Sequence, residues 1–112
     1  MKRAIIILAL LAFGASVYAH PAADLEATYS VQNKTLNISF THSVKDPADH
    51  FIQGVEVRLN DVMIISQVCS AQDTATGGSF VYRIPNLKKN DTIRVTLICN
   101  KTGKKSATMV LK

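Results

Sequence analysis

From residue 25 onward, apolar and polar positions alternate with a period of two. Turn residues interrupt the alternation at intervals of roughly 8 to 12 residues. Leu25, Ala27 and Tyr29 face one way, and Glu26 and Thr28 the other. The pair Asn33-Lys34 turns the chain into a second run, in which Leu36, Ile38 and Phe40 alternate with Asn37 and Ser39. The loop HSVKDPADH follows, then FIQGVEVRL, with Val55, Val57 and Leu59 on one side and Glu56 and Arg58 on the other. Asn and Asp tolerate left-handed backbone angles, so Asn60-Asp61 predicts a tight hairpin into VMIISQV. A further loop, SAQDTATGG, leads to SFVYRI, which Pro85 ends because proline cannot donate to a ladder. The last two runs are TIRVTLIC, which sets Ile93, Val95, Leu97 and Cys99 on one face, and SATMVL after the turn at Gly103.

Helical periodicity is missing throughout this region. About seven short strands with regular turns predict an all-β fold, an immunoglobulin-like β-sandwich of antiparallel strands. An up-and-down barrel is the alternative.

The first 19 residues read differently. Lys2 and Arg3 precede an apolar run from Ala4 to Phe13, and Val17-Tyr18-Ala19 places branched or small side chains before a cut after Ala19. This is the pattern of a secretory signal peptide over residues 1–19. The apolar run falls short of the roughly 20 residues that a membrane span needs. Removing 19 of 112 residues leaves a single domain of 93, residues 20–112. It predicts a periplasmic or secreted protein with no membrane attachment after cleavage.

Charge narrows the function little. Cleavage takes Lys2 and Arg3 from the 13 basic residues, so 11 remain against 8 acidic ones. The late lysines (Lys88, Lys89, Lys101, Lys104, Lys105, Lys112) have no aromatic interleaving, which argues against nucleic acid. A small anionic substrate drawn to a basic rim remains open. Asp46 and Asp49 read as turn residues, and the spacing offers no Ser-His-Asp arrangement, P-loop or carboxylate pair.

The candidate chemistry lies in three histidines and two cysteines. His42 ends one strand and His50 begins the next, so two imidazoles stand at neighbouring strand mouths, where they can converge on one transition metal. After cleavage, His20 would be the first residue and would offer its imidazole and its α-amine together. Export favours a Cys69–Cys99 disulfide. Free thiols would instead leave Cys99 able to bind metal as a thiolate.

The stretch His42-x-x-x-x-Pro47-x-x-His50-Phe51-Ile52, running into Val55-Glu56-Val57, resembles the metal loop of superoxide reductases, the catalytic domain of desulfoferrodoxins. Cys99-Asn100-Lys101-Thr102-Gly103 is similar to that family's Cys-Asn-x-His-Gly motif. The resemblance spans roughly residues 36 to 106 and implies an immunoglobulin-like sandwich. In that family a mononuclear iron is held by four histidines in a plane and an axial cysteine. The resemblance therefore implies His42 and His50 as two of the imidazoles and Cys99 as the axial thiolate. Thr102 stands where the family has histidine, so full superoxide reductase activity is not expected. His20 is the candidate for the missing ligand. Its His-Pro start also resembles exported copper carriers of the copper-resistance type and the histidine brace of lytic polysaccharide monooxygenases.

Two readings follow. One is an exported iron or copper protein with His42, His50, Cys99 and His20 as ligands, a redox or metal-carrier role and a small redox partner. The other is a non-enzymatic exported binding or structural module with a Cys69–Cys99 disulfide and no metal.

Overall fold

The computed structural model describes residues 20–112, so the expected signal peptide lies outside the described residues. Seven strands run in chain order: β1 (Asp24–Ser30), β2 (Thr35–Thr41), β3 (Ile52–Leu59), β4 (Val62–Val68), β5 (Gly77–Arg83), β6 (Thr92–Cys99) and β7 (Lys104–Val110). All pairings are antiparallel. They form a three-stranded sheet in the order β1-β2-β5 and a four-stranded sheet in the order β4-β3-β6-β7. This is the expected immunoglobulin-like β-sandwich, with β4 on the sheet of β3. Among the described residues no helix is long and apolar enough to cross a membrane.

The alternation builds the core directly. Leu36, Ile38 and Phe40 of β2 are buried, as are Val55 and Val57 of β3 and Ile93, Val95, Leu97 and Cys99 of β6. Edge strands bury less: Leu25, Ala27 and Tyr29 of β1 and Ile65 of β4 are partly buried against that core. On β4, Val62, Met63, Ile64 and Val68 are exposed, whereas the edge strand β7 opens with Lys104 and Lys105. Charged edge residues of that kind discourage pairing with other chains.

One departure from simple alternation bears on the site. Ile52 pairs with Cys99 and Gly54 pairs with Ile98, so the register slips by one residue at Gln53. This bulge turns Ile52 into the core together with Val55, three positions on, which strict alternation would forbid. The Gln53 carbonyl accepts the N–H of Cys69, at 2.7 Å.

The hairpin at Asn60-Asp61 forms as expected, with both residues at positive φ (49° and 69°) and Leu59 opposite Val62. That pole of the sandwich is tied by Asp91. Its carboxylate accepts the Lys88 N–H at 2.8 Å and the Asn60 side-chain amide at 3.0 Å. The Asn60 side-chain oxygen Oδ1 in turn accepts the Thr92 N–H. First the Lys88 N–H and then the Asn60 amide hold the Asp91 carboxyl below its usual range. A depressed carboxylate stabilises the fold above the unfolded pKa of about 3.9, and that support is lost as pH falls through the lower folded value. Wild type should therefore melt higher than Asp91→Asn at neutral pH, and the gap should shrink below about pH 4. Melting temperatures of both proteins across that range check this, and a constant gap would contradict it.

Candidate metal centre

The candidate ligands gather at the opposite pole. His42 follows β2 directly, His50 precedes β3, Cys99 ends β6 and His20 precedes β1. One nitrogen from each of His20, His42 and His50 lies within 4.8 Å of the other two. The ring centroids are 4.8 Å apart for His20–His42, 5.2 Å for His20–His50 and 4.8 Å for His42–His50. The rings meet at 60° to 89°, edge to face rather than stacked. His42 has no solvent exposure and His50 is also buried, whereas His20 is half-buried.

Each histidine has its own anchor. His42 continues the β2–β5 ladder, with its N–H donating to the Thr76 carbonyl at 2.9 Å. Its ring Nδ1 lies 2.8 Å from Oε1 of Gln72, a buried side chain. His50 ends a tight turn in which its N–H bonds the Asp46 carbonyl and Ala48 N–H bonds the Asp46 carboxylate. Asn100 brackets it: the Phe51 N–H donates to Asn100 Oδ1, and Asn100 Nδ2 donates to the Asp49 carbonyl, both at 2.9 Å. Lys101 bridges Asp49 at 3.7 Å across an exposed rim.

His20 is carried in by the segment before β1. The Ala23 N–H extends the β1–β2 ladder to the Thr41 carbonyl, and Ala22 is buried. Pro21 lies on Gly103, where a Cβ would stand 3.0 Å from Pro21 Cδ. Gly103 also sits at φ +82°, a conformation other residues adopt with strain. The glycine of the β6–β7 turn is thus the seat of the His20-Pro21 segment. The His20 carbonyl reaches 3.0 Å from His42 Nε2.

Cys99 lies outside this group of three but touches one of its members. Its sulfur is 3.2 Å from His50 Nε2 and accepts the Lys101 N–H at 3.4 Å. Burial, reinforced by His42, His20 and Lys101 nearby, lowers the pKa of His50. Asp49 opposes the shift in part, and the net effect favours the neutral form, in which imidazole binds a metal. Thr102 is exposed, and the third imidazole of the cluster is that of His20.

Cys69 lies elsewhere. Both cysteines are free, and the Cys69–Cys99 disulfide expected for an exported chain is not formed. The topology explains this. Cys69 bonds Gln53 on one side of β3, and Cys99 pairs with Ile52 on the other. Two strand spacings separate them, about 10 Å. A disulfide needs Cα atoms roughly 4.4–6.8 Å apart. Cys69 instead neighbours Gln67, whose Oε1 takes the Tyr82 hydroxyl at 2.5 Å. Burial pushes the Cys69 thiol up, and burial together with Cys69 pushes Tyr82 up to about 12.

Gln72 has no forewarning in its residue type, since it sits in a polar loop. Asn100 was visible as the asparagine of the Cys99-Asn100 motif, with no role assigned to it. No protein-family model matches this chain, and a search of curated proteins returns no match.

Two measurements check this arrangement. Thiol titration of the protein unfolded without reductant should find two thiols per chain, and finding none would restore the disulfide. Gly103→Ala should displace Pro21 and weaken metal binding in protein that circular dichroism shows to be folded. An unchanged metal affinity would show that Gly103 does not seat His20.

Proposed function

We propose that this is an exported mononuclear iron or copper protein of superoxide reductase ancestry, with a metal-carrier or one-electron role. The observation that carries the reading is the convergence of His20, His42 and His50 nitrogens within 4.8 Å, with the Cys99 sulfur 3.2 Å from His50. At metal–nitrogen bonds of about 2.0–2.1 Å and angles of about 90° to 109°, nitrogens sharing one ion stand roughly 2.8 to 3.4 Å apart. Closure of up to about 2 Å completes the site, and the half-buried His20 ring would supply it by giving up its contacts with the Pro21 and Ser43 carbonyls. A nitrogen and a thiolate on one ion stand roughly 3.1 to 3.6 Å apart, which brackets the His50–Cys99 separation.

Imidazole and thiolate donors suit iron, copper or zinc and disfavour calcium and magnesium, which take oxygen. The resemblance of the His42–His50 loop and the Cys99-Asn100 motif to superoxide reductases favours a redox metal over zinc. A bound iron or copper would supply one-electron chemistry, exchanged with a small redox partner. With Thr102 in place of a histidine, the four-imidazole plane of that family is not reproduced, and superoxide consumption should be weak or absent. If the leader is removed after Ala19, the α-amine of His20 becomes a further nitrogen donor beside its own ring.

Protein purified from metal-replete cells should carry about one equivalent of iron or copper. The double variant His42→Ala/His50→Ala should lose it, with a greater fall in affinity than the roughly 10–100-fold typical of losing a supporting hydrogen bond. Elemental analysis with a folding check by circular dichroism reads both. A folded wild-type protein without metal, which cannot be loaded with either ion, would contradict the proposal.

A further inference from the structure

We infer that Gln72 is a positioning residue that fixes which nitrogen of His42 carries the proton, leaving Nε2 open to a metal; this deepens the metal reading and rests on it. Gln72 is buried, with 8% exposure. Its Nε2 donates to the carbonyls of His42, at 2.8 Å, and Thr74, at 2.9 Å. Both partners only accept, so the amide cannot turn over. Its Oε1 therefore faces His42 Nδ1 at 2.8 Å and the Ile52 N–H at 3.3 Å. An amide oxygen only accepts, so Nδ1 must be the donor.

The other ring nitrogen, Nε2, lies 3.0 Å from the His20 carbonyl, which also only accepts. A neutral imidazole has one N–H, so the two acceptors compete for it. Gln72 Oε1 is buried and held by the bonds that fix its amide, and leaving it facing a nitrogen lone pair would be costly. The contact with the His20 carbonyl is only part-buried, so leaving that acceptor without the proton costs less. The proton therefore stays on Nδ1. The lone pair stays on Nε2, on the side of the ring that faces His20. A histidine whose second ring nitrogen donates to a carbonyl in this way is the usual arrangement of a metal-binding imidazole.

Without Gln72, the proton would move to Nε2 and bond the His20 carbonyl, which closes the ring to a metal. Gln72 also clamps its loop through the two carbonyls, so a merely structural role must be told apart from tautomer control. Gln72→Glu keeps an acceptor at Nδ1 and loses both clamping donors. Gln72→Met loses all of these.

Nitrogen-15 NMR of the metal-free protein at about pH 8, above the usual histidine pKa of about 6.5, reads the tautomer directly. Wild type and Gln72→Glu should show His42 protonated at Nδ1, and Gln72→Met should show it protonated at Nε2. Co(II), which gives visible bands and does not oxidise thiols, should bind Gln72→Met about 10–100-fold more weakly than wild type. The inference is overturned if Glu and Met variants share one tautomer, or if wild type itself is protonated at Nε2. That last outcome needs no variant to fold. Because the tautomer is read without metal, a wild type protonated at Nδ1 that takes up no Co(II), iron or copper would overturn the metal reading alone.

Discussion

The pairing of β3 with β6 is the interaction on which the rest of the molecule depends. It sets Val55 against Leu97 and Val57 against Val95, the centre of the core. At one end it sets Ile52 against Cys99, so the residues just outside the ladder, Phe51 and Asn100, bond across it. The slip at Gln53 lets this end point inward while the hydrophobic alternation continues in the rest of the strand. Core and candidate centre are therefore one construction. A change that shifted the β3–β6 register would move His50 away from Cys99 as surely as it would expose valines.

Around that ladder, three histidines arrive from three places and are held with different firmness. His42 is fully buried, and its ring is gripped by Gln72. His50 is buried and bracketed by Asn100 through the backbone on both of its flanks. His20 is half-buried, with its ring nitrogens 2.9 Å from the Pro21 carbonyl and 3.1 Å from the Ser43 carbonyl, and its neighbour Pro21 packs on Gly103. The two buried imidazoles are therefore held more firmly than the half-buried one. Burying polar rings without partners would be costly, and here the hydrogen bonds that offset that cost also orient the rings.

The strands were readable because period-two alternation and turn residues report burial directly. Leu36, Ile38, Phe40, Ile93, Val95, Leu97 and Cys99 all face the core as their spacing predicts. His42 and His50 were readable as residues at strand mouths, and once β2 and β3 lie on facing sheets their meeting follows. Placing His20 beside them needed the seat at Gly103, a contact between residues 82 positions apart that no local pattern reveals. Gln72 was hidden because a glutamine in a polar loop looks solvated until the fold buries it. The disulfide expectation failed because compartment chemistry says that two thiols may pair, whereas strand order decides whether they can meet. The leader over residues 1–19 rests on its sequence pattern alone.

The most direct test of the central claim is X-ray absorption at the metal edge of the iron- or copper-loaded protein. The account predicts imidazole scattering from the histidines together with a single sulfur neighbour, at about 2.3 Å if its bond resembles that of other first-row thiolate sites. Imidazole signal should fall in His42→Ala, and the sulfur should vanish in Cys99→Ser while persisting in Cys69→Ser. A shell of light oxygen or nitrogen atoms without imidazole scattering, unchanged by these substitutions, would contradict it.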